Sequence, residues 1–147
     1  MAVPRILAVD WGLRRIGLAV SDPHGIIATG LETLVVRGPD DALARVAKIA
    51  AEREAERIVV GLPLLLSGAR GEAAESAQSF ADALARRTGL PVDTYDERLT
   101  SALSERRLRE VGARRGRART RVDQGAAIAL LESYLLRVRA QIEGSRP

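Results

Sequence analysis

The chain has 147 residues, a formal net charge of +4, no cysteine and a single histidine. That length suits one domain, expected to run over 1–147 with a proper core, and the missing cysteines exclude disulfides and thiolate metal sites. Aromatics make up only 3% of residues, so the core must be built from Ala, Leu, Val and Ile.

Residues 6–9 (Ile-Leu-Ala-Val) show no polar alternation and predict a strand buried on both faces, central in a sheet. Asp10 ends that run, and residues 11–15, with Gly12, read as a tight turn into a second strand over 16–21. Asp22-Pro23-His24-Gly25 is turn chemistry, and His24 is assigned to the turn alone. A third strand over 26–36 completes an antiparallel meander. Gly38-Pro39-Asp40 then opens a helix with Leu43, Val46, Ala47 and Ala50 on one face. Residues 57–61 form a short buried strand ended by Leu62-Pro63. Leu64-Leu65-Leu66 is unusual loop composition, read as buried against the next helix or else as a dimer contact or a wedge into nucleic acid. Ala73, Ala77, Phe80, Ala81 and Leu84 stripe the second helix, which Gly89 stops. Residues 91–97 alternate as a strand, a weaker helix covers about 101–111, and the longest helix starts near Val122. Its Val122, Ala126, Leu130, Tyr134, Val138 and Ile142 recur at i+4. The order βββαβαβαα predicts an α/β fold: a mixed five-stranded sheet, an antiparallel three-strand meander plus two parallel strands, flanked by helices. The longest apolar stretch, 58–66, is too short to span a bilayer, and the N-terminus lacks a signal-peptide pattern. A cytoplasmic protein without membrane contact is expected.

A carboxylate closing a buried strand is costly unless positive charge meets it. With no Cys and one His, the natural partner of Asp10 is a hard cation held by oxygen. Glu97 and Asp123 stand where the fold could return them to Asp10, giving a candidate catalytic and metal-binding trio. Faces alternate along 95–97, so only one of Asp96 and Glu97 can share a cation with Asp10, and which one stays open. Asp123 has a competing structural role: in the first turn of a helix it complements the dipole, with Thr120 three residues earlier completing a capping box. Ala126 and Ala127 would let that helix approach the sheet closely. Clustered carboxylates need divalent ions to stay ionised together, and two Mg²⁺ or Mn²⁺ with substrate bound could activate a water for phosphodiester cleavage.

Charge is concentrated in one block. Residues 106–121 hold eight Arg and one Glu, a local net of +7 within the total of +4. Arg114, Arg115, Arg117, Arg119 and Arg121 suit bidentate phosphate contacts, with Arg14 and Arg15 in the first hairpin turn as possible additions. The competing reading is a solvated connector. No aromatic residue interleaves the block, so base readout there is minimal.

The stretch Ala8-Val9-Asp10-Trp11-Gly12-Leu13-Arg14-Arg15-Ile16-Gly17-Leu18-Ala19-Val20-Ser21-Asp22 resembles the opening motif of the YqgF family, relatives of the RuvC resolvases. Val59-Val60-Gly61-Leu62-Pro63, Asp96-Glu97-Arg98-Leu99-Thr100, and Val122-Asp123 with Ala126-Ala127 and Tyr134-Leu135 agree in order along nearly the whole chain. The resemblance implies a ribonuclease H-like fold and an acidic site of Asp10, Glu97 and Asp123. It also implies nuclease activity in 5′ maturation of pre-16S ribosomal RNA, or alternatively Holliday junction resolution on branched DNA. Two departures stand out: Leu65-Leu66-Ser67-Gly68 replaces the family's polar Asn and Asp, and Ala126 stands where related resolvases carry a further acid. The second weakens the junction reading. The expected partner is nucleic acid, RNA ahead of branched DNA, bound by a monomer or weak homodimer. A non-catalytic RNA-binding assembly factor is the third reading.

Overall fold

The computed structural model describes residues 3–65, 67–100 and 117–144. Strand β1 (Ile6–Asp10) lies at the centre, and Ile6, Leu7, Ala8 and Val9 are all fully buried, as a run without polar alternation requires. It pairs antiparallel with β2 (Arg15–Ser21) and parallel with β5 (Arg57–Leu62), which in turn pairs parallel with β6 (Val92–Asp96). The sheet order is β3-β2-β1-β5-β6.

The expected third strand over 26–36 is instead two pieces, β3 (Ala28–Gly30) and β4 (Leu34–Val35), both antiparallel to β2. Between Ala19↔Gly30 and Ile16↔Leu34, three residues (31–33) face two (17 and 18), so one extra residue is inserted. The reason is phase. Leu31, Leu34 and Val36 all enter the same core, yet Leu31 and Leu34 would point to opposite faces of an unbroken strand.

Helices α1 (Pro39–Glu52) and α2 (Glu72–Thr88) cover one face of the sheet, and α3 (Arg117–Gly144) crosses the other over β2, β1 and β3. Gly89 takes a left-handed φ of 71° and stops α2, with its N–H returning to the Ala85 carbonyl. The α1/α2 side holds Leu7, Val9, Ile16, Leu18, Val60 and Phe80; the α3 side joins Ile6, Ala8, Ala19 and Val59 to Leu130, Leu131 and Leu135. Small Ala8, Ala19 and Ala127 let α3 sit low on the sheet while its leucines fill the remaining volume. Among the described residues, no helix is long and apolar enough to cross a membrane.

Candidate active site at the carboxyl ends of the strands

Parallel β1, β5 and β6 finish at one edge of the sheet, at Asp10, Leu62 and Asp96. Ile6 and Ala8 belong to the α3-side cluster, so alternation puts Asp10 on that face. Val59 puts Gly61 there too, and the pairing Val9↔Val60 makes Gly61 the lateral neighbour of Asp10. Strand β6 ends at Asp96, one residue earlier than expected from sequence, and Glu97 opens a 3-10 turn (Glu97–Thr100) directly after it. Its side chain folds back over Gly61. A Cβ on Gly61 would overlap Glu97 Oε1 and lie 3.0 Å from Cδ and Cγ. The carboxylate thus fills space that any other residue at 61 would occupy, about one strand spacing of ~4.8 Å from the strand of Asp10.

Asp96 is engaged elsewhere. Its carboxylate accepts from Arg98 Nη2 at 2.7 Å, Nε at 3.1 Å and the Arg98 backbone N–H at 2.9 Å. The Arg98 side-chain hydrogen bond, more than the backbone one, holds the Asp96 carboxyl below its ordinary range. Glu97, rather than Asp96, stands on the face of Asp10.

The backbone of Asp123 lies on α3, and its side chain falls outside the described residues. The helix is already formed at Arg117, so the expected start near Val122 and the Thr120 cap are corrected. Arg and Ala are strong helix formers, and nothing between Arg117 and Arg121 breaks the helix. Asp123 is therefore beyond the first turn, where a helix dipole no longer accounts for an acid. It stands four residues before Ala127 and eleven before Tyr134, both buried against the sheet, and α3 touches the turn Glu97–Thr100. Among the described residues no group of three potential metal ligands occurs, and the side chain of the third acid of the trio falls outside them.

Arg14 is exposed at the β1–β2 turn and Arg15 opens β2 half-buried, both at this same edge. Arg117, Arg119 and Arg121 ride the first turns of α3, so this part of the basic block is helix rather than connector. Arg114, Arg115 and the helix expected over 101–111 lie outside the described residues, as does Leu66. Of its neighbours, Leu64 packs against the α1/α2-side core and Leu65 is exposed.

Three contributors escaped the sequence reading. Gly61 is one, although glycine inside a strand signals close approach. The others are Trp11 and Ser76. The indole stacks on Phe80 at 4.2 Å between centroids, and its Nε1 donates to Ser76 Oγ at 2.9 Å. A Cβ on Gly12 would overlap the Arg15 carbonyl oxygen, so the turn closes only with glycine. Together these contacts fix the chain that leaves Asp10.

At the opposite end of the sheet, the Tyr134 hydroxyl donates a short hydrogen bond to Asp93 Oδ2 on β6, and Arg57 Nη1 lies 3.5 Å from that hydroxyl. Burial, then the Asp93 hydrogen bond, pushes the Tyr134 hydroxyl up to about 12. Tyr95 and Ser133 hydroxyls meet at 2.7 Å and add a second tie between β6 and α3.

The family model described as RuvX, Holliday junction resolvase, matches residues 4–137. A relative from Thermobifida fusca (strain YX), named "Putative pre-16S rRNA nuclease", is 51% identical over 137 residues, 88% of this chain and 85% of the relative. One of the same name from Chloroflexus aurantiacus is 44% identical over 130 residues, covering 88% and 85%. The T. thermophilus RuvC chain solved with a Holliday junction substrate superposes with a TM-score of 0.62 over 99% of both chains at 19% identity, a likeness of fold. Fowlpox virus resolvase has the same fold at a TM-score of 0.54 and 10% identity, over 91% of this chain and 98% of the other. With a strand-ordered sheet of this kind, an acidic edge and a match along nearly its full length, the chain belongs to the RuvX family, the YqgF proteins that its motifs resemble.

Proposed function

We propose that this protein is a divalent-metal-dependent nuclease whose acidic site is Asp10, Glu97 and Asp123, and whose substrate is the 5′ region of pre-16S ribosomal RNA. One observation carries the reading: the Glu97 carboxylate folded over Gly61, on the face of Asp10. Carboxylates gathered at the ends of neighbouring strands favour a cation between them, which lets both stay ionised. The donors are all carboxylate oxygens, the set that suits Mg²⁺ or Mn²⁺. Two such ions held by these residues would supply an activated water and stabilise charge on the leaving 3′ oxygen.

The chain's own part is positioning. Gly61 clears the space that Glu97 needs, while Trp11, Ser76 and Gly12 fix the turn after Asp10. Arg14, Arg15 and the arginines at 114, 115, 117, 119 and 121 neutralise flanking phosphates and so hold a polyanion against an acidic edge that would otherwise repel it. The protein acts as a monomer or weak homodimer in the cytoplasm. The names of the two relatives support RNA as the substrate.

The test is cleavage of end-labelled precursor RNA in Mg²⁺ and in Mn²⁺. Asp10→Asn should abolish cutting and leave RNA binding intact; a variant that cuts as fast as the parent overturns the assignment. Equal binding with and without Mg²⁺, and no cutting in either, would leave a non-catalytic RNA-binding assembly factor. Resolution of four-way DNA junctions is a second reading, favoured by the description of the family model. It needs two sites acting together. A strict monomer in light scattering that leaves junctions intact while cutting RNA removes it.

A further inference from the structure

A cleft of about 450 Å³ opens beside the acidic edge, on the α2 side of the sheet, lined by Trp11, Gly12, Leu13, Pro63, Glu72 and Ser76. Its walls are mainly apolar, and Leu13 stands 71% exposed at its rim. We propose that this cleft receives one unstacked nucleobase of the nucleic acid strand whose backbone lies at Asp10, so that the protein selects substrates that are single-stranded beside the cut. The proposal rests on the nuclease reading for the identity of the strand.

Position is the first argument. Asp10 and Trp11 are consecutive, with Cα atoms about 3.8 Å apart, and strand alternation sends them to opposite faces. A nucleotide lying across the edge therefore meets carboxylates on one side and the cleft on the other. Charge is the second. Among the described residues, the lining includes no cation and one carboxylate, Glu72, which rejects a phosphate yet accepts hydrogen bonds from the exocyclic amine of a base. Preorganisation is the third. Phe80 and Ser76 hold the indole in place before any ligand arrives, so little ordering cost falls on binding. Bases inside a duplex are stacked and cannot enter, whereas single strands present theirs to aromatic and apolar walls.

Trp11 is the sole tryptophan, so its emission reports on this cleft directly. The full-length Asp10→Asn protein, kept in Mg²⁺ because it should bind RNA without cutting it, is titrated with short single-stranded RNA, the same strand carrying one abasic site at successive positions, blunt duplex RNA and inorganic polyphosphate. Single-stranded RNA should change the emission, and polyphosphate and duplex should not. One abasic position should weaken binding by about tenfold and abolish the change, the scale of one lost base–aromatic stack. Leu13→Ala, an exposed change that leaves folding alone, should weaken single-strand binding and spare the duplex. Equal affinity at every abasic position, or the same emission change with polyphosphate, overturns the proposal. The two readings fail separately: base-dependent emission without cutting by the parent in Mg²⁺ or Mn²⁺ keeps the cleft and removes the chemistry, and normal cutting without it does the reverse.

Discussion

The two faces of the sheet end differently at the same edge. On the α1/α2 side, the core of Leu7, Val9, Val60 and Leu62 continues into Trp11 stacked on Phe80, and packing persists to the rim. On the α3 side, Ile6, Ala8 and Val59 give way to Asp10, Gly61 and the folded-back Glu97. The alternation of side chains within each strand makes this division possible. Val9 and Trp11 secure the backbone from one face while Asp10, between them, is presented on the other. Rigidity comes from the face opposite the proposed acidic site.

That contrast can be broken at four points. Leu130→Ala removes fully buried bulk from the α3 face, where neighbours held by the strands cannot close the gap; it should cost about 2–5 kcal/mol in urea unfolding. A cost near that of a surface change would mean that α3 is not seated as described. Gly61→Ala forces the Glu97 carboxylate off β5, and a displacement near 1 Å should lower RNA cleavage by about a hundredfold. Its thermal melt should stay within about 1 kcal/mol of the parent, and unchanged cleavage would show that Glu97 need not lie there. Phe80→Leu keeps an apolar residue but removes the ring under Trp11. It should cost about 1 kcal/mol and shift Trp11 emission, whereas an unshifted spectrum would deny the stack its role.

The smallest effect belongs to Asp96→Asn. Its pair with Arg98 lies at the surface, where solvent screens it, and should contribute little to stability, with cleavage retained. The folded-state pKa of Asp96 lies below the ordinary 3.8, so the contribution is present above that pH and is lost as pH falls through the folded value. Parent and variant melts should differ at neutral pH and converge in acid. A loss of cleavage in Asp96→Asn would put the wrong acid of the pair at the site.

Much of this was legible in the sequence, for identifiable reasons. The unalternating run at 6–9 could only be a central strand, and the stripe of Ala77, Phe80, Ala81 and Leu84 could only be a helix face, although its first buried member is Ala74 and the expected Ala73 is exposed. What escaped depended on exceptions to regular phase or on tertiary approach. The break at 31–33 follows from Leu31 being out of step with Leu34 and Val36, which a count of apolar residues does not register. The helix start was placed late because Thr120 offered a plausible cap, while the helix propensity of the arginine run before it prevailed. Gly61 carried its meaning in a side chain it lacks, and only the return of Glu97 from another strand gave that absence a purpose.

The bond from Tyr134 to Asp93 has a mechanical side. It pins α3 to the outermost strand about 16 Å along the helix axis from residue 123, at 1.5 Å per residue. With Ala127, Leu130 and Leu131, that bond sets the tilt of the helix: about 4° around the pin would displace residue 123 by about 1 Å, the scale at which the proposed site would lose alignment. The seat of residue 123 is thus tied partly to the far end of the sheet, through a phenol on the helix and a carboxylate on the edge strand.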